Sequence, residues 1–185
     1  SGIYIAPSFG GSGLVFNALW SKRFPIIDFL GEFEETVSSL GGIHVHMLNH
    51  EVFGDKVVAK GVHGEDLTAK DLTKYLVNNG KLYGDYYEIF KKSEPFFQHA
   101  PAQPDVPSLI IYNSVIPTIE GIDLTGNKVL FGTGDGMVNT EGPKYACDHW
   151  AQTKCYDLKS ANPIDNHLSM LYRDSLNQYI IDFLN

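Results

Sequence analysis

Two short apolar runs constrain this chain more than any other feature: "GIYIA" at residues 2–6 and "SLIIYNSV" at 108–115. Both have the length of a strand and are rich in isoleucine, valine or tyrosine, residues that suit a pleated and largely buried surface, and "KCYDLK" at 154–159 suggests another short strand. A fourth stretch, "GIDLTGNKVLFG" at 121–132, reads as two strands turning near Gly126-Asn127. Strands therefore stand at the start and in the last third of the chain, with a mostly helical middle. That pattern predicts an α/β fold.

The middle is read segment by segment. "LVFNALWSKRFPIIDFLGEFEETVSSLGG" (14–42) is aromatic-rich and interrupted by Pro25, which suggests one or two short helices with loop between them. "IHVHML" (43–48) alternates weakly and suggests a strand, and "DKVVAKGVHGED" (55–66) suggests loop or irregular strand. In "LTAKDLTKYLVNNG" (67–80), Thr68 and Asp71 have the spacing of a capping box. Leu72, Tyr75 and Leu76 share a helical face, and Asn79-Gly80 supplies a stop. A second helix is expected over "YGDYYEIFKKSEPFF" (83–97), ending before Pro95, and "HAPAQPDVP" (99–107) is an extended connection. The last segment, 167–184, places Leu168, Leu171, Leu176, Tyr179, Ile180 and Phe183 along one face of a helix.

The bulk numbers exclude several function classes. At 185 residues, the chain is of single-domain size. A formal charge of −8 argues against binding a phosphate backbone, so no nucleic-acid partner is expected. No stretch approaches 18 consecutive apolar residues, and the opening "SGIYIAPSFGG" lacks the basic and apolar regions of a signal peptide. A start on a core strand without an initiator methionine fits processing or trimming. Cys147 and Cys155, eight apart in "CDHWAQTKC", leave a short disulfide and two free thiols both open. The disulfide would point to an oxidising compartment: secretory pathway, lysosome or vacuole, or extracellular space.

Two residues carry the candidate chemistry. Asp135 follows an apolar strand in "LFGTGDGMVNT" (130–140), and His167 follows a polar loop in "PIDNHLSML" (163–171), just before the last helix. In many hydrolases a carboxylate on one such loop orients a histidine on the next, which takes a proton from a serine. The order acid then histidine agrees with the α/β-hydrolase order serine, acid, histidine. An Asp-Gly pair also makes a tight turn, so Asp135 has a purely structural reading as well.

The segments "IYIAPSFGGS", "DLTAKDLTKYL", "YNSVIPT", "GDGMV", "CDHW" and "NHLSMLYRD" occur in the order found in the lecithin:cholesterol acyltransferase-like family. That family includes phospholipid:diacylglycerol acyltransferases and lysosomal-type phospholipases A2. The chain resembles its C-terminal half over nearly its whole length, most specifically in "GDGMV" and "NHLSML". The resemblance implies the C-terminal portion of an α/β-hydrolase fold. Residues 1–13 would be a core strand and loop, 14–105 a helical cap or lid, and 106–185 the core carrying the acid and histidine loops. It makes Asp135 the triad acid and His167 the triad base, acting on glycerophospholipid esters without metal or cofactor.

The family's nucleophile elbow, G-x-S-x-G, is absent from this sequence. Its nearest imitation is "APSFG" (6–10) with Ser8 at the centre, where Pro7 opposes the demanding turn geometry. The resemblance therefore implies that the serine lies on a separate N-terminal chain of the same enzyme, a partner that would also cover a raw sheet edge. The alternative is a hydrolase-like subunit of a protein or lipid-associated assembly that has lost the chemistry.

Three further groups have bland and functional readings. His44, His46 and His50 in "HVHMLNH" could hold a metal with water, or could be polar residues of a cap. Trp20, Phe24, Phe29 and Phe33 read as core packing, or as a lid or interfacial patch making peripheral membrane contact. Cys147 and Trp150 match a Cys-x-x-Trp pattern of the family and read as structural, while His63 and His149 read as surface residues.

Overall fold

A computed structural model describes residues 1–22 and 39–185. It is a mixed α/β structure built on two sheets. The first contains β1 (Gly2–Ile5), β4 (Ser108–Tyr112) and β7 (Thr153–Asp157), all parallel and in the order β1-β4-β7. The second contains β2 (Val57–Lys60), β3 (Asp66–Thr68), β5 (Ile116–Asp123) and β6 (Lys128–Gly134), in the order β3-β2-β5-β6. Here β2–β3 and β5–β6 are antiparallel, and β2 meets β5 in parallel at Lys60 and Asp123. Only residues 113–115 separate β4 from β5, so one continuous stretch of chain passes from sheet to sheet.

Strand alternation explains how the parallel sheet is sandwiched. Leu109 and Ile111 of β4 point to one face, where they meet Leu176, Tyr179, Ile180 and Phe183 of helix Asp174–Leu184. Ile110 points to the other, against Ala146 and Trp150 at helix Glu141–His149. Burial on both faces accounts for a continuous rather than alternating apolar run in "LII". Trp150 also packs on Tyr4 and Phe9, and its indole N–H donates to Pro101 O at 3.1 Å. That bond pins the extended 99–107 connection to the end of the helix. Cys147 and Cys155 form a disulfide that joins the helix to β7 beneath it. The larger core lies under the second sheet. It gathers residues from helix Gly13–Ser21, from helix Leu72–Asn78 and from helix Gly84–Ser93, together with Ile122 of β5. Segments before and after residue 105 thus share both a sheet and a core.

Several local expectations change. Residues 43–48 form no strand: Gly41–His44 is a helical turn, because spacing of three and four lets His44, Met47 and Leu48 all be buried. Of the two readings for residues 55–66, the irregular strand is the one found: β2 pairs with β3 with a register shift between Val57 and Ala59. Thr68 ends β3 rather than capping a helix; the carboxylate of Asp71 accepts from Thr68 N (2.8 Å) and Thr68 Oγ1 (2.6 Å), which is half of the expected box. The stop is as read, with Gly80 at φ +65° and Lys81 N donating to Leu76 O. The last segment is two pieces, a 3-10 turn Met170–Tyr172 and the helix from Asp174. Leu168 and Leu171 are therefore 60% and 58% exposed while Met170 is buried. Trp20 packs on Tyr75 with the Lys81 ammonium over its ring; Phe24, Phe29 and Phe33 lie outside the described residues.

The disulfide closes a short loop, for which chain-entropy reasoning gives roughly 2–3 kcal/mol. Replacing both Cys147 and Cys155 by serine should lower the melting temperature by roughly 5–10 °C. Calorimetry under non-reducing conditions checks this, with the wild type in reductant expected to match the variant.

Candidate active site

Asp135 is the first residue beyond β6, and the turn it starts is held from several sides. Its Oδ1 accepts from Met137 N (3.0 Å) and Val138 N (2.8 Å), and Gly136 N donates to Thr118 Oγ1 of β5 at 2.9 Å. Gly134 is required here, since a Cβ would collide with Val138 O and with Thr118 Oγ1. The far side of the turn docks on helix Gly13–Ser21. Ser12 Oγ donates to Met137 O (2.5 Å), and the buried Asn139 accepts from Gly13 N through Oδ1 (3.1 Å). Ser12 in addition caps the helix, accepting from Leu14 N.

His167 reaches the same point from the other sheet. Its Nδ1 lies 2.9 Å from Asp135 Oδ2, and its backbone N donates to Asp135 O at 2.8 Å. Asp135 is 2% exposed, so both of its carboxylate oxygens are desolvated and both are hydrogen-bonded. A carboxylate on Nδ1 fixes the ring orientation and favours the tautomer that leaves Nε2 free to accept a proton.

The loop carrying His167 is anchored by residues that no short motif reveals. Asn113, buried just past β4, donates to Ser160 O (2.8 Å) and Asp165 O (3.1 Å), and accepts from Ser160 N (3.2 Å). Asn166 Oδ1 accepts from Leu168 N and Ser169 N, starting the turn that follows. The buried Asp165 pairs with Arg173 across that turn. Burial alone would push the Asp165 carboxyl up, but hydrogen bonds from Arg173 and Ser160 and the guanidinium charge outweigh it, and its pKa falls below the ordinary value.

His167 lines a cavity of about 330 Å³ with Ser8 and His46; its apolar walls include Leu14, Val15, Met137 and Val138. Ser8 Oγ and His46 Nδ1 are hydrogen-bonded at 3.0 Å. The His46 pKa is lowered, first by desolvation and then by the nearby His167. The other histidines go elsewhere: His44 is buried against Phe90, and His50 meets the edge of Phe97. Among the described residues no group of His, Cys, Asp and Glu is placed to hold a metal ion, and no helix is long and apolar enough to cross a membrane. His149 stacks on Tyr145 at the surface. Sequence reading singled out Asp135 and His167 but missed Asn113, Asp165 and Arg173. A polar residue directly after a fully apolar strand, as Asn113 is, was the one available signal.

No family model matches the chain, and no curated protein matches it.

Asp165 contributes to stability above its unfolded pKa of about 3.9, and the contribution is lost as pH falls through its lower folded value. Asp165→Asn should therefore destabilise the protein clearly at pH 7 and progressively less below about pH 4. Urea midpoints of both proteins across that range check it; a difference independent of pH would contradict it.

Proposed function

We propose that this chain supplies the acid and the base of a serine-dependent acyl hydrolase or acyltransferase acting on glycerophospholipid esters. It would be the C-terminal portion of an α/β-hydrolase fold of the lecithin:cholesterol acyltransferase-like type. The observation that carries the reading is the Asp135–His167 contact, whose histidine lines a largely apolar cavity. The disulfide, the parallel sheet and the position of the acid just after β6 and of the histidine on the loop after β7 are compatible with it.

In this reading the serine comes from a separate N-terminal chain. Its hydroxyl loses a proton to His167 Nε2 as its oxygen attacks the ester carbonyl. Asp135 stabilises the imidazolium that forms, and the two amides on Oδ1 hold the carboxylate in place during transfer. The proton then passes to the departing alcohol, and the acyl group leaves to water or another alcohol. The apolar cavity walls suit an acyl chain, and the exposed Leu168, Leu171 and Tyr172 beside the histidine suit contact with a lipid surface.

Treating the chain and whatever copurifies with it with a fluorophosphonate probe tests this. The label is expected on a serine of the partner. Label on Ser8 would move the nucleophile into this chain, and absence of any label on the folded complex would remove the enzymatic reading. Asp135→Asn and His167→Ala should each reduce phospholipid hydrolysis by roughly 10³–10⁴-fold with assembly intact.

A further inference from the structure

Helix Leu72–Asn78 has two organised faces. Leu72 and Leu76 are buried in the larger core. Lys70, in the turn before the helix, and Thr73, Lys74 and Val77 on it recur at the same helical spacing and line a second cavity, of about 360 Å³. Glu94 and Gln98, at either end of helix Pro95–Gln98, line it too, as do Tyr87 and His50. Val77 is the only aliphatic hydrocarbon side chain among the described lining residues, so this cavity is as polar as the one at His167 is apolar.

Two of its polar atoms are buried and have no hydrogen-bond partner among the described residues: Nε2 of His50 and Oγ1 of Thr73. A threonine inside a helix commonly bonds back to the carbonyl one turn earlier, and a buried donor left unmatched costs stability. The His50 ring is seated edge-on against Phe97, with centroids 5.5 Å apart. Its pKa is lowered first by burial and then by the charge of Lys70; Asp71 opposes this and His99 adds to it. The ring is therefore neutral at pH 7 and has an N–H to give.

The charged groups are equally uncommitted. Lys70 Nζ lies 3.6 Å from the exposed Asp55, a loose surface pair, and Lys74 forms no ion pair among the described residues. The neighbouring Asp71 carboxylate accepts from Thr68 N and Thr68 Oγ1 instead. Two ammoniums and two neutral donors suit a phosphate dianion, whereas a carboxylate would need one ammonium. Glu94 and the Gln98 carbonyl are acceptors, which an anion cannot use but hydroxyl groups can. A lipid would leave its chains without an apolar wall.

We infer that this cavity binds a phosphomonoester of a small polyhydroxylated molecule, with Lys70, Lys74, His50 and Thr73 on the phosphate and Glu94 and Gln98 on the hydroxyls. The site is separate from the Asp135–His167 contact and does not rest on the acyl-transfer reading.

Isothermal titration calorimetry in phosphate-free buffer tests it, on the full chain with any chain that copurifies. Glucose 6-phosphate and glycerol 3-phosphate are the probes, with inorganic phosphate, glucose and phosphatidate vesicles as comparisons. At least one phosphomonoester should bind saturably and more tightly than inorganic phosphate, and glucose should not bind. Lys74→Ala should weaken that binding roughly tenfold and Thr73→Val roughly fivefold, each the loss of about one hydrogen bond. Thr73→Val removes an unmatched hydroxyl and should not lower the melting temperature, which separates lost binding from lost folding. Lys92→Ala, exposed and outside the cavity, and His167→Ala should both bind as the wild type does. Absence of saturable binding by both phosphomonoesters overturns the inference, as does an affinity unmoved by Lys74→Ala and Thr73→Val. Binding of inorganic phosphate as tightly as the phosphomonoesters, or Lys74-dependent binding of the vesicles alone, overturns the assigned ligand class.

Discussion

The carboxylate of Asp135 is claimed from two directions, and the rest of the site depends on that. One oxygen closes a turn by accepting two backbone amides; the other holds the imidazole of His167. With almost no water in reach, neither oxygen can lose its partner cheaply. The turn and the contact with the imidazole are therefore not alternatives for Asp135. The turn aims the oxygen, and the aimed oxygen orients the ring.

That arrangement organises the surroundings outward. The turn is braced on Thr118 in the mixed sheet and on Ser12 and Gly13 at the start of a helix. The histidine loop is braced by Asn113 at the end of the central parallel strand and by the Asp165–Arg173 pair. Around them the cavity is mostly apolar, and among the described residues its polar side chains are Ser8, Ser12, His46 and His167. Ser8 and His46 are hydrogen-bonded to each other in that space, and burial lowers the His46 pKa.

The sequence disclosed elements whose signals are local. The apolar runs of β1 and β4 were legible because both pack against the helices that flank the parallel sheet, and the β5–β6 turn because Gly126-Asn127 supplies its backbone geometry, with Asn127 at φ +49°. Asp135 and His167 stood out because they follow strand and loop in an order that means something chemically. The short strands β2 and β3 did not stand out, for three or four residues carry too little alternation to distinguish strand from loop. Ser8 with His46, and Asn113 with Ser160 and Asp165, are long-range pairings made by close backbone approach, and no spacing along the chain encodes them. The final helix was overextended because Leu168 and Leu171 fit its period, although the turn begun at Asn166 exposes them.

Asp135 and His167 hang from different sheets, joined covalently through residues 113–115. Their contact is thus a seam between layers, and a slip of about one ångström between those layers would carry a 2.9 Å contact past hydrogen-bond length. Core substitutions far from the cavity on either side would register there as lost alignment before they registered as unfolding. The seam works as a gauge of how the layers are seated, and anything that clamps them together would tune it without touching either side chain.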